Sequence, residues 1–213
     1  MYVKDWMTKE PVCLTREDSI NLAFKAMKDG HFHRVPIVEG TKLVGLITES
    51  TLSDYTPSKA TTLSVFEMNS ILQRTTCGDV MVKDVVTIDQ NALLEEAADK
   101  MNVNNVACLP VVDDKNNVIG IITQKAIFGA FVELMGYYSK GSRIVVEVRK
   151  DEVGILKNIA GIISEAGINI THMIVYRGAE VNIVIRNDEP DAQKVSELLR
   201  AHGYVVTDAR SAK

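Results

Sequence analysis

Thr48 and Thr123 stand where the sequence can do chemistry. Each closes an apolar run, Gly45-Leu46-Ile47-Thr48 and Gly120-Ile121-Ile122-Thr123, and each precedes a helix-compatible stretch, Glu49-Ser50-Thr51-Leu52 and Gln124-Lys125-Ala126-Ile127. A hydroxyl at a strand-to-helix turn lies beside unpaired backbone N–H groups and the positive end of a helix dipole, an environment that favours an anion. The plainer role for the same hydroxyl is to cap the helix. Lys125 adds a cation beside Thr123. His31, His172 and His202 have no i, i+4 partner and no flanking carboxylate in a metal pattern, so they read as structural. Cys13, Cys77 and Cys108 are an odd number without ligand-like spacing, which argues against a disulfide framework or a zinc site and fits a reducing cytoplasm. Cys108, flanked by apolar residues before Pro110, reads as a core thiol rather than a nucleophile.

The elements that must position these residues occur twice. Met7 aligns with Met81, Ile20 with Leu94, Ala23 with Ala97, Met27 with Met101 and Pro36 with Pro110, each pair 74 residues apart. The offset is 75 at Gly45 and Gly120, so one extra residue sits in the second copy's turn at 113–117. Residues 11–14 predict a strand, and Ile20, Ala23, Phe24 and Met27 predict a helix ended by Gly30. Residues 35–38 and 43–48 predict a hairpin, and a helix follows from about Glu49. The second copy repeats this with a strand at 85–88, Leu94, Ala97, Ala98 and Met101 on one helical face, strands at 109–112 and 118–123, and a helix from Gln124. Between the copies, 53–62 reads as a loop and 63–72 as a short amphipathic helix. After a hinge-like Lys140-Gly141-Ser142 the pattern changes to strand, helix, hairpin with its turn at 177–180, helix and strand, which is the βαββαβ, ferredoxin-like order.

The 213 residues, 46% hydrophobic and 24% charged, suffice for packed cores. A net charge of −4 argues against a nucleic-acid surface. No segment approaches the ~18 apolar residues of a membrane span, so a soluble, cytoplasmic protein with no membrane partner is expected.

Residues 1–140 resemble a tandem pair of CBS domains, a Bateman module. The resemblance rests on Met7-Thr8-Lys9-Glu10-Pro11-Val12 and Val80-Met81-Val82-Lys83-Asp84-Val85, on Arg34-Val35-Pro36-Ile37-Val38 and Leu109-Pro110-Val111-Val112, and on the two Gly-apolar-apolar-Thr runs. Residues 141–213 resemble an ACT domain through Asp151-Glu152-Val153-Gly154-Ile155-Leu156 and Gly167-Ile168-Asn169-Ile170. The implied class is α/β and α+β: repeat 1 with its insert over 1–74, repeat 2 over 75–140, and a ferredoxin-like ACT domain over 141–213. The whole order is similar to acetoin-utilisation accessory proteins of the AcuB type.

That resemblance implies ligand sites. In CBS domains the threonine hydroxyl faces phosphate, and an acidic residue three positions later holds the ribose. Here that later position is Thr51 or Ala126, so neither copy has the carboxylate. His33-Arg34-Val35-Pro36 is similar to a phosphate-touching segment in the gamma subunit of AMP-activated kinase. The expected nucleotide site therefore draws on His33, Arg34, Pro36, Thr48, Thr51, Thr123 and Lys125, with Thr48, His33 and Arg34 favoured as one group. The ACT resemblance places an amino-acid effector at Arg149, Asp151, Gly154 and Asn169. The plainer alternative is that Asp151 caps a helix and Asn169 faces a dimer seam.

The expected protein is a non-catalytic regulator and homodimer. It requires no cofactor, binds AMP, ADP, ATP or S-adenosylmethionine as an effector, and controls an unidentified metabolic enzyme. The alternative is a docking module whose clefts are degenerate.

Overall fold

The computed structural model describes residues 1–55, 72–150 and 152–211. The predicted loop and helix at 53–72 therefore fall mostly outside the described residues, as does Asp151. The chain divides into two compact units, Met1–Phe128 and Gly129–Lys213.

In the first unit the apolar spacing of the two copies makes two similar helices. Helix α2 (Ile20–Gly30) follows α1 (Val3–Trp6) and buries Ile20, Ala23 and Met27. Its counterpart α5 (Leu94–Val103) buries Leu94, Ala97 and Met101. Helix α2 has Gly30 as its last residue and is capped by His31 at a positive φ of 53°, whereas α5 is capped by Asn104 at −90° and reaches positive φ one residue later, at Asn105 (51°). Gly30 is needed because a Cβ there would lie 2.0 Å from the Phe32 ring.

Each copy also forms an antiparallel hairpin, β2 (Arg34–Glu39) with β3 (Lys42–Thr48), and β5 (Cys108–Val112) with β6 (Val118–Thr123). Both hairpins shift register at the same place, between Ile37 and Val38 and between Val111 and Val112. Helices α3 (Glu49–Asp54) and α6 (Gln124–Leu134) follow β3 and β6.

The expected first strands are shorter than their apolar runs suggest. Residues 11–14 contribute a single parallel bridge from Leu14 to Ile37, and 85–88 narrows to β4 (Ile88–Asp89), parallel to β5. The segments just before them cross between copies. Strand β1 (Thr8–Lys9) of the first copy pairs with β6 of the second. Val82, after the short helix α4 (Cys77–Val80), pairs with Leu46 of the first copy through two 2.9 Å backbone hydrogen bonds.

This exchange accounts for the two motif glycines. A Cβ on Gly45 would lie 2.3 Å from the sulfur of Met81, and one on Gly120 would lie 2.5 Å from that of Met7. Each glycine is the floor on which the other copy's methionine lies. Cys77, Val80 and Met81 accordingly belong to the first copy's core with Ile20, Ile37, Ile47 and Leu52.

The second unit has the βαββαβ order: β7 (Ser142–Val148), α7 (Ile155–Glu165), β8 (Ile170–Arg177), β9 (Val181–Asn187), α8 (Ala192–Ala201) and β10 (Val205–Ser211). Its antiparallel sheet runs β10, β7, β9, β8. Ile144, Val146, Ile183 and Ile185 pack on one face with Ile159, Ile163, Val195 and Leu199 of the two helices. Alternate residues of each strand face the other way.

Candidate functional site

In the first unit, a cleft of about 600 Å³ is built from both copies. The segment after β1 supplies Glu10, Pro11 and Val12, the approach to and start of β2 supply Phe32, His33 and Arg34, and the end of β6 with the first turns of α6 supplies Thr123, Lys125 and Phe128. Arg34 and Lys125 make no ion pair among the described residues, so their charge is available to an anion. His33 differs, because its Nδ1 lies 2.8 Å from a Glu49 carboxylate oxygen. Thr123 Oγ1 accepts from the Ala126 N–H at 3.4 Å, a long cap that leaves the hydroxyl's own proton free to donate.

Four of the seven expected residues line this cleft, and Arg34 is also opposite Thr48 in the hairpin register. His33 and Arg34 share a cleft with Thr123 and Lys125, across copies. Thr48 is not on its lining: its hydroxyl accepts from the Thr51 N–H at 3.2 Å and hydrogen-bonds the Thr51 and Ser50 hydroxyls at 2.8 and 2.7 Å. Thr51 is engaged in the same cap. Pro36 is buried in β2, where its carbonyl accepts from Leu14 N–H at 3.1 Å, so it shapes the strand and does not face the cleft. The sequence does carry one overlooked signal, the apolar residues Pro11, Val12 and Phe32 beside the polar motif positions.

Burial raises all three thiols above the ordinary cysteine range. Burial pushes the Cys77 thiol up to about 11, with Asp18 adding to the effect. Burial also raises Cys108 to about 11, against an opposing pull from Arg34. Among the described residues, no group of three or more His, Cys, Asp or Glu side chains could hold a metal, and no helix is long and apolar enough to cross a membrane.

In the second unit, Arg149 follows β7 and Gly154 caps α7 with φ of 95°. A Cβ at Gly154 would touch nothing within 4 Å, so this glycine supplies the left-handed conformation rather than room for a backbone. Gly154 borders a 390 Å³ cleft with Val153, Leu156, Val175 and Arg177, which neither Arg149 nor Asn169 lines. Asn169 precedes β8 at the other end of the sheet, its N–H donating to Asp188 at 2.8 Å. A seven-residue strand such as β7 is roughly 20 Å long, so the two expected halves of an effector site stand apart within one copy. Nearby, Glu147 is held above the usual glutamate range, first by a hydrogen bond to Glu180 and by that residue's charge, with desolvation adding and Arg149 opposing.

Residues 3–57 and 77–133 match the family model of the CBS domain, and 142–210 match that of the ACT domain. Among solved structures, a protein provisionally assigned to acetoin utilization (AcuB) from Vibrio cholerae is 29% identical, with a TM-score of 0.53 over 65% of this chain and 95% of that one. The CBS pair of protein MJ0100, solved in complex with 5′-methylthioadenosine and S-adenosyl-L-methionine, is 28% identical, with a TM-score of 0.52 over 62% of this chain and 97% of that one. The uncharacterized protein MJ1225 of Methanocaldococcus jannaschii is 28% identical over 134 residues, which are 61% of this chain but only 46% of that relative.

Proposed function

Given that the chain belongs to the CBS-domain family, as a tandem CBS pair followed by an ACT domain, we propose that it is a non-catalytic regulatory protein that senses an adenine nucleotide or a related adenosyl metabolite. Both module types are regulatory and ligand-binding. The observation that carries the reading is the cross-copy cleft. Pro11, Val12, Phe32 and Phe128 offer apolar walls to a base, and Arg34, Lys125 and Thr123 offer two cations, unpaired among the described residues, and a hydroxyl to phosphate or carboxylate. The S-adenosyl-L-methionine complex of the MJ0100 pair supports this ligand class.

With Thr51 and Ala126 at the ribose positions, no carboxylate there accepts from the sugar hydroxyls. The lost charge-assisted bonds are worth ~1.5–3 kcal/mol, so selectivity rests on base and charge, and a 2′-deoxy analogue should bind nearly as well as the ribonucleotide. In the second unit, Arg149 and Gly154 of one copy would join Asn169 of another in a homodimer to take an amino acid. The target would be a metabolic enzyme in the cytoplasm, and the AcuB neighbour suggests acetoin metabolism. A second reading, a docking module that ignores ligands, is favoured by Ala126 and Thr51.

A thermal-shift panel of AMP, ADP, ATP, NAD, 5′-methylthioadenosine and S-adenosylmethionine, followed by the amino acids, tests the proposal. A ligand at 100 times its Kd stabilises by ~2.7 kcal/mol, which raises the midpoint of a chain this size by roughly 5–10 °C. Arg34→Ala and Lys125→Ala should abolish the nucleotide response. No shift with any compound would leave the docking reading, and an unchanged response in both variants would reject the cleft.

A further inference from the structure

The sheet of the second unit carries a row of like charges that its own packing does not call for. Arg210 on β10 is directly opposite Arg143 on β7, and Arg143 is directly opposite Arg186 on β9. Their neighbours Ala209, Ile144 and Ile185 belong to the core side, so the alternation of the strands puts all three arginines together on the other face. His172 on β8 continues the row beside Arg186. Like charges directly opposite one another destabilise a sheet, and folding alone would be better served by alternating signs or by threonine.

The compensation is incomplete. Asp208 is the one carboxylate that meets the row among the described residues, and it is divided between Arg143 Nη1 at 2.8 Å and Arg210 Nε at 2.9 Å. Arg186 makes no ion pair among the described residues; its Nε donates to the Met135 carbonyl at 2.7 Å. Burial and then the neighbouring Arg143 charge make the protonated form of Arg186 less favourable than usual.

This row borders a cavity of about 680 Å³ that also exposes Lys140 and the rings of Tyr137 and Tyr138. The two rings meet edge to face at 5.3 Å and are 66% and 79% exposed. Four cations against one shared carboxylate make a strongly positive cavity with an aromatic wall. Adjacent strands are about 4.8 Å apart, so the three guanidinium stems span roughly 10 Å, the reach of several linked phosphates rather than of one.

We propose that this cavity is a binding site for a polyphosphate group, free or carried by a nucleotide, held by Arg143, Arg186, Arg210 and Lys140. It lies wholly within the second unit and is independent of the nucleotide cleft proposed above for the first. Arg186 and Lys140 hold the anion first, and Arg143 and Arg210 turn part of their donors from Asp208 towards it. In a nucleotide, the base would rest on the tyrosine rings.

Calorimetric titration of the full chain with inorganic tripolyphosphate, then with ATP in an Arg34→Ala background that disables the first cleft, tests this. Saturable tripolyphosphate binding is expected, weakened at least tenfold in Arg186→Gln and in Arg210→Gln. Arg210 is largely exposed, so its variant should fold. Asp208→Asn should bind more tightly, because it frees two guanidinium groups; a merely structural aspartate would give no gain. ATP binding more tightly than tripolyphosphate, with the excess lost in Tyr137→Ala, would identify a nucleotide as the source, and equal affinity would identify free polyphosphate. Absence of saturable binding by the wild-type chain, or unchanged binding in both arginine variants, overturns the proposal.

Discussion

Gly45→Ala offers a direct test of the crossed arrangement of the two copies. The added Cβ would sit 2.3 Å from Met81 Sδ and 2.8 Å from its Cγ, against about 3.5–4 Å for ordinary carbon contact. Met81 is only 7% exposed, so its side chain must shift by more than an ångström inside a filled core. Overpacking of this kind costs ~1–3 kcal/mol. Met81→Ala alone removes a buried side chain, at ~2–5 kcal/mol, but it also removes the sulfur and Cγ that the new methyl would strike, leaving only a Cβ at 3.1 Å. The double variant should therefore be little less stable than Met81→Ala by itself, a coupling of ~1–3 kcal/mol between residues 36 positions apart in sequence. Urea denaturation of the four proteins, followed by circular dichroism, reads that coupling from the midpoints. If the two losses simply add to within ~0.5 kcal/mol, Met81 does not lie over Gly45 and the exchange of segments between copies is refuted.

Two further outcomes follow from the titrating groups. The raised Glu147 means that the folded chain holds a proton more tightly than the unfolded one, so this pair's contribution to stability falls as pH rises through the window just above the ordinary glutamate range. Glu180→Gln should raise the melting temperature at neutral pH and lose that advantage below the window; the same gain at both pH values would show that charge is not the cause. With Cys77 and Cys108 raised to about 11 by burial, only the half-buried Cys13 should react with a thiol reagent at pH 7 in the native chain, and all three should react in urea.

What the sequence revealed was local. The spacing of Ile20, Ala23 and Met27, and of Leu94, Ala97 and Met101, marks buried helical faces, and all six are buried. The Gly-apolar-apolar-Thr runs end at strand-to-helix turns, as read. What it concealed was pairing between distant segments. Thr8 and Lys9 are exposed and polar, with no strand pattern of their own, and become a strand only because β6 lies beside them. Arg34 is opposite Thr48 in the hairpin register, as their spacing suggests, but its place on one cleft with Thr123 comes from the pairing between copies and has no local signal. The arginine row required three registers at once, and β10 runs on to Ser211, well past its apolar start at Val205 and Val206, which is what brings Arg210 into it.

The crossing of β1 to β6 also sets an order of events during synthesis. Because 113 residues separate Thr8 from Ile121, a ribosome adding about 5–20 residues per second leaves β1 without its partner for roughly 6–23 s. Val82 follows Leu46 by only 36 residues, so the first hairpin has its edge covered early. When β6 emerges, the strand that covers it is already made. The segment left waiting is two residues long, too short to recruit another nascent chain, while the long apolar edge waits for nothing.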